Sequence, residues 1–308
     1  MAALHAAREA IAEAGWSKSD LKDAALVVGT SRGNAAGWLG PWPGRRPFRL
    51  MAASNTIHSE PASAISIEFG ITGPNHVVAS GCAAGLDAVG LAMMMLECGL
   101  ATRALAVAVD LPLVPMLLDQ YASSGLLSNS AKLDPYHSST TGFVPAEAAA
   151  AMAIESGEGN HPRLLHYACN SDAANPVGIP ADGGRSAELF HHDFTRGLSA
   201  LCPHATGTLV QAVADPAWMR RAFTDAKPPL ILLKPYVGHA IGASGMLESA
   251  ILAGFMKRRR LPGNVKGLSV PQGFVAPHDS FEVAGPVAKV SNGMGGHNAI
   301  LVISPASE

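Results

Sequence analysis

Residues 75–99 read NHVVASGCAAGLDAVGLAMMMLECG. A short β-branched run, 76–80, leads into Gly81 and Cys82 and then into a long Ala- and Met-rich segment with the character of a buried helix. Glycine at 81 permits a sharp bend, and the bend leaves Cys82 at the helix start. Unpaired N–H groups and the helix dipole favour a thiolate at such a position, and a thiolate is a nucleophile. A lone cysteine beside a helix is more commonly a small buried hydrophobe. The decision between the two rests on the remainder of the chain.

The 308 residues are 48% hydrophobic and 15% charged, with a net charge of −2. So little charge implies extensive burial, a subunit interface included. The length suits two domains, or one two-part domain around a shared core. No uninterrupted apolar run reaches the length of a membrane span. The amphipathic, acid-bearing opening MAALHAAREAIAEAG reads as neither a signal nor a transit peptide, so a cytoplasmic protein is expected. Cysteines 82, 98, 169 and 202 lack CxxC spacing. That argues against a zinc knuckle or disulfide framework and suits a reducing compartment. No basic field exists to hold nucleic acid.

Strands and helices alternate along the chain. Residues 2–14 form a helix by period, ended by Gly15. Residues 23–29 (DAALVVG) and 103–110 (RALAVAVD) read as buried strands, 59–69 as a helix, and 40–49 as an irregular loop rich in Pro, Trp and Arg. Residues 111–130 are apolar but broken by prolines, which suggests cover or an interface rather than a regular element. The alternation restarts at 163–169. Strands are expected at 198–202 and 229–234, a helix through about 256, and closing strands at 281–283, 287–291 and 299–303, the last two joined by the turn 293–296. This order argues for an α/β protein with mostly parallel sheets and weakly suggests a duplication.

Three motifs each carry an active side chain at the end of a buried strand: SGCAAG around Cys82, PHATGT around His204, and KPYVGHAIGASG with Lys234 and His239. Together with GFVPAE at 142–147 and NGMGGHN at 292–298, they resemble the β-ketoacyl-acyl carrier protein synthases, the condensing enzymes of fatty-acid and polyketide synthesis. The likeness runs from residue 6 to 303 in the family's motif order. It implies a thiolase-like α/β fold, with two similar βαβαβ halves in a layered α-β-α-β-α arrangement. The halves would be 1–157 with the nucleophile and 158–308 with the histidines, in a single compact unit.

The resemblance implies Cys82 as the acylated nucleophile, with His204 and His239 as Nε2 donors to the malonyl thioester oxygen. Lys234 would orient one histidine and tune its charge. Backbone N–H groups at Cys82 and in the turn Asn292-Gly293-Met294 would form a second oxyanion hole. Glu147, Thr206, Thr208 and Asn298 would support the site, Glu147 within an internal polar network. No metal or cofactor is implied. The substrates would ride on the phosphopantetheine of an acyl carrier protein, and the chain would pair as a homodimer or with a second synthase-like subunit.

The pattern departs from the family in places. The first strand is missing and would be expected in the middle of the N-terminal sheet. Asn292 stands where an aromatic gate is usual, with Met294 at the next aromatic position. Ala205 replaces a common Gly, and 208–211 (TLVQ) lacks the usual Pro and Asn/Asp. A second reading is therefore a non-condensing, chain-length-determining partner of a heterodimeric synthase, although such partners usually lose the nucleophile. Neither GxGxxG nor GxxxxGK[ST] is present, which argues against nucleotide binding. The run His191-His192-Asp193 reads as a solvated loop rather than a metal site. No cysteine lies beyond 202 to serve a thiolase proper.

Overall fold

The structure, a computed structural model, describes residues 1–39, 56–157, 159–190 and 193–306. The expected loop at 40–49 and the pair His191-His192 lie outside the described residues. The chain divides into two compact units, and their boundaries depart from the sequence halves in two places. Unit 1 is 1–122, 145–157 and 240–247; unit 2 is 123–144, 158–239 and 248–308. Hydrogen bonds account for both exchanges. Residues 123–144 are tied within unit 2 through Tyr136 Oη to Asp215, Thr140 Oγ1 to the Gly207 carbonyl, and Asp134 to Ser269. In unit 1, the Gly242 N–H donates to Asp110 at the end of a central strand.

Unit 1 holds, in chain order, α1 (Ala2–Ala14), α2 (Lys18–Lys22), β1 (Ala25–Gly29), α3 (Ala35–Leu39), α4 (Glu60–Phe69), β2 (Asn75–Val78), α5 (Ala84–Glu97), β3 (Arg103–Asp110), α6 (Pro115–Ser123) and β4 (Ala148–Glu155). Gly15 closes α1 at φ 68°, a backbone angle that glycine adopts at little cost. The sheet order is β2-β1-β3-β4, parallel except for β4. Strand β1 is buried at every position, as an unbroken apolar run in a parallel sheet demands. Its core joins Ala7 and Ile11 of α1, Leu26, Val28, Leu105 and Val107 of the sheet, and Ile65 of α4.

The prolines of 111–130 do not prevent a regular element. Pro115 opens α6, where a missing N–H removes no helix bond. Leu117 and Tyr121, four residues apart, are buried, while Met116 is exposed.

Unit 2 holds β5 (Arg163–Ser171), β6 (Ala200–Cys202), α7 (Leu209–Ala222), α8 (Lys234–Val237), most of α9 (Ser244–Met256), the two-stranded β7 (Arg260–Leu261) and β8 (Phe281–Glu282), then β9 (Val287–Gly293) and β10 (His297–Ser304). Its main sheet runs β5-β10-β9-β6. Residues 229–234, expected as a strand, make only a single bridge, Leu201 to Leu230. The side chain of Asn264 takes the place of a ladder partner: its Oδ1 accepts from Leu232 N–H at 2.7 Å and its Nδ2 donates to the Leu230 carbonyl at 2.9 Å. The core gathers Leu201, Trp218, Met219, Leu232, Val290, Ile300 and Val302.

The two sheets share a pattern. The strand ahead of Cys82 (β2), then β1, β3 and the antiparallel β4, corresponds to Leu230, β6, β9 and the antiparallel β10. Unit 2 adds β5 outside β10. The expectation of a gap in the middle of the unit 1 sheet is therefore overturned. β1 and β3 are direct hydrogen-bonded neighbours, with Ala25 opposite Ala104 and Gly29 opposite Ala108. The position that β5 fills in unit 2 lies at the outer edge of β4 in unit 1. No helix among the described residues is long and apolar enough to cross a membrane.

Candidate active site

In unit 1 the chain leaves β2, turns at Gly81 with φ 60°, and runs through a single 3₁₀ turn (Gly81–Ala83) into α5. Cys82 sits in that turn, 8% exposed, at the helix start anticipated from the sequence. None of the four cysteines is in a disulfide. The same bend occurs a second time. Ala240 (φ −93°, ψ 37°) and Ile241 (φ 48°) lead through the 3₁₀ turn Ile241–Ala243 into α9, much as Ser80 (φ −98°, ψ 39°) and Gly81 lead into α5. A β-branched residue at positive φ is an outlier that its surroundings must enforce.

Gly242 corresponds to Cys82 in this repeat, and the two bends pack together without room for side chains. A Cβ on Gly85 would lie 2.7 Å from the Gly242 carbonyl oxygen, and a Cβ on Gly242 2.6 Å from Asp110 Oδ2. Asp110 is the tie. Its buried carboxylate accepts from Thr30 Oγ1 and from the N–H groups of Ser31, Arg32 and Gly242, all at 2.8–3.0 Å. Burial pushes this carboxyl above the ordinary range, and the four donors oppose that rise.

In unit 2 the structure brings together three sequence-predicted residues. His204 and His239 are buried, with ring centroids 5.3 Å apart and planes at 86°. His239 also meets Phe143 edge to face at 5.2 Å, and its N–H donates to the Val144 carbonyl at 2.8 Å. Both imidazoles are held well below the usual histidine range, by burial first and then by the Lys234 ammonium. They are therefore neutral at pH 7. His204 Nδ1 is buried with no hydrogen-bond partner among the described residues. An orphaned N–H is rarer than an orphaned acceptor, so the proton belongs on Nε2, which makes that nitrogen a donor.

Behind the rings Lys234 Nζ meets Glu248 Oε1 at 2.6 Å, both side chains 1% exposed. The opposite oxygen, Oε2, contacts Lys289 Nζ. Cys202 Sγ lies 3.9 Å from the same Oε2. Burial pushes its thiol up to about 12, so Cys202 is an inert thiol. The loop after His204 is held by Asp215, which accepts from Ala205 N–H (2.8 Å), Trp218 Nε1 (2.9 Å), Gln211 Nε2 (2.5 Å) and Tyr136 Oη (3.0 Å). Those bonds fix Ala205 at φ 46°. Thr206 Oγ1 and Thr208 Oγ1 are 3.2 Å apart, and Thr208 caps α7 by accepting from Gln211 N–H.

Asn292 is the penultimate residue of β9. Its buried side chain lies on β9, accepts from Gln211 Nε2 at 3.1 Å, and donates to Ser186 Oγ and Asn298 Oδ1. Asn298 passes the chain of bonds to Asp172 Oδ1 at 2.7 Å. Gly293 ends β9, and Met294 is exposed beside it. Glu147 is exposed and accepts a long bond, 3.2 Å, from Leu113 N–H.

Glu248, Lys289, Asp215 and Asp110 were not singled out from the sequence. Each left the same trace, a charge inside an apolar run, as in GMLESAIL and PVAKVSN. Such a charge must be paired if the run is buried.

A sequence model described as β-ketoacyl synthase, N-terminal domain, matches residues 1–159. A Streptomyces coelicolor protein named as an actinorhodin polyketide β-ketoacyl synthase 1 is 29% identical over 231 residues, 68% of this chain and 48% of its own length. The chain thus spans about half the length of that relative. Among solved structures, a type II polyketide ketosynthase bound to its acyl-carrier protein and a hexaketide superposes with a TM-score of 0.88 at 23% identity, covering 99% of this chain and 84% of the other. The ishigamide ketosynthase/chain length factor gives 0.87 at 20% identity, covering 99% and 81%. These likenesses establish a thiolase-like α/β fold. With the family's N-terminal domain matched over just over half of its residues, the chain belongs to the β-ketoacyl synthases.

Proposed function

We propose that this chain catalyses decarboxylative Claisen condensation of an acyl thioester with malonyl carrier protein, with Cys82, His204, His239 and Lys234 as its working residues. Cys82 Sγ attacks the acyl carbonyl, and the carrier's pantetheine thiol leaves with a proton. The malonyl thioester then loses carbon dioxide: the bond to the carboxylate breaks and its electron pair becomes an enolate. Nε2–H groups of His204 and His239 donate to the enolate oxygen as charge develops. The enolate carbon attacks the acyl-Cys82 carbonyl, and collapse of the tetrahedral adduct expels the Cys82 thiolate. N–H groups at Cys82 and around 292–294 would hold that adduct's oxygen.

The observation that carries this reading is the buried pair of imidazoles 5.3 Å apart, with His204 Nδ1 lacking a partner among the described residues and burial holding both rings toward the neutral form. Two neutral donors suit an oxygen that becomes negative, whereas an imidazolium would surrender its proton to the enolate. An acyl carrier protein as partner, and pairing with a like subunit, are carried over from the relatives. The decisive test is intact-mass analysis after incubation with acyl carrier protein. Acyl mass should map to Cys82, and adding malonyl carrier protein should discharge it as the β-ketoacyl product.

The likeness to a ketosynthase/chain length factor supports a second reading, a non-condensing partner that sets chain length. Absence of acyl mass on Cys82, together with co-purification of a second synthase-like chain, would select it.

A further inference from the structure

Lys289 has no part in the chemistry above, yet its side chain is 0% exposed. It stands opposite Cys202 in the parallel pairing of β9 with β6, so residues 203 and 204 follow directly from its partner. Its Nζ donates to the Pro203 carbonyl at 3.2 Å and to the Val290 carbonyl at 2.8 Å, and contacts Glu248 Oε2. Glu248 in turn holds Lys234 through its other oxygen. Two ammonium groups thus share one carboxylate. A buried cluster of this kind is weak evidence for stability, because desolvating the ions offsets their attraction. Its placement calls for another explanation.

We propose that Lys289 is a positioning residue for the imidazole pair: it pins the Pro203 carbonyl, and hence the start of the His204 loop, to the same carboxylate that fixes Lys234. This inference rests on the proposed condensation. It adds an electrostatic consequence. With both lysines protonated and Glu248 ionised, the cluster carries one net positive charge behind the rings. The groups in unit 2 acting on the imidazoles are Lys234 and Lys289, with His239 acting on His204 as well and Glu248 and Cys202 packed behind. Lys289 therefore helps to keep both histidines neutral and able to donate.

The test uses the full chain with ¹³C-labelled histidine, comparing wild type with Lys289→Gln and Lys289→Arg. Imidazole titration is followed by NMR, and malonyl decarboxylation is followed against pH. Glutamine keeps a donor for Pro203 but removes the charge. The His204 and His239 midpoints should rise by about half a unit or more, and the acid limb of decarboxylation should move to higher pH with them. Arginine should leave both near wild type. Midpoints in the glutamine variant within about 0.2 units of wild type, or an arginine variant that shifts as far as glutamine, would overturn the inference.

Should the glutamine variant not fold, Lys289→Met combined with Glu248→Gln removes one charge of each sign. Imidazole midpoints should then stay near wild type while decarboxylation falls about tenfold or more through the lost anchor. An unchanged rate would overturn the inference. Wild-type protein that fails to decarboxylate malonyl carrier protein would retire the proposed function instead, and the titrations would still decide the role of Lys289.

Discussion

Cys82 and Cys202 show how position sets the chemistry of a thiol. Cys202 lies wholly in the interior against a carboxylate, and burial keeps its proton on. Cys82 sits in the 3₁₀ turn ahead of a 14-residue helix, where the helix dipole favours a thiolate. Cys82→Ala should abolish acyl transfer, and Cys82→Gln should leave malonyl decarboxylation intact, because carbon dioxide loss uses the histidines and not the sulfur. Condensation that persisted in Cys82→Ala would refute this division of labour. The imidazoles make a second prediction. Their folded pKa values are depressed, so below about pH 6.5 the unfolded chain binds more protons than the folded one. Their contribution to stability is complete above that pH and is lost as pH falls toward the folded midpoints. Urea midpoints of wild type should therefore drop more between pH 7.5 and 5 than those of a His204→Asn, His239→Asn double variant; parallel curves would contradict the buried-neutral assignment.

The bends at Gly81 and Ile241 are the elements that carry the reactive groups, and close backbone contact holds them. A Cβ on Gly29 would lie 2.3 Å from the Ala84 carbonyl oxygen, and one on Gly85 2.8 Å from Met246 N. Both obstacles are backbone and cannot rotate away. Gly29→Ala and Gly85→Ala should each destabilise by about 1–3 kcal/mol or more, measured by urea unfolding. Gly254, on the exposed side of α9, has nothing within 4 Å. Gly254→Ala should stabilise by about 0.5–1 kcal/mol through helix propensity alone. Equal effects at all three sites would show that glycine serves only as a flexible residue here. PLILLK was misread as a strand for a related reason: an apolar run specifies burial, but beyond its one bridge to Leu201 the side chain of Asn264, over 30 positions later, takes the Leu230 carbonyl and the Leu232 N–H.

For the molecule as a whole, the apolar composition anticipated an interface, and part of that apolar surface is identified. Leu111, Leu113 and Met116 are 40%, 42% and 49% exposed within six positions. Singly exposed apolar residues need no explanation, but a cluster does. A dimer is expected by sedimentation at micromolar concentration, and Leu113→Asp with Met116→Asp should shift it toward monomer. Monomeric wild type would remove the reason for placing an interface there. The duplication hinted at in the sequence is visible in the sheets, where β1, β3 and the antiparallel β4 match β6, β9 and the antiparallel β10 in order and direction.

What the amino-acid order determined was local. Periodicity marked α1, α4, α5 and β3 nearly to the residue, and a glycine beside a cysteine marked the bend, because those signals arise from neighbours within one or two turns. The pairing of Lys289 with Glu248, the exchange of 123–144 and 240–247 between units, and the edge position matching β5 were decided only by tertiary structure. Each depends on which strands lie side by side, and register is chosen by the packing of whole faces rather than by any short stretch. A buried charge announces that it needs a partner; only the folded chain brings that partner within reach.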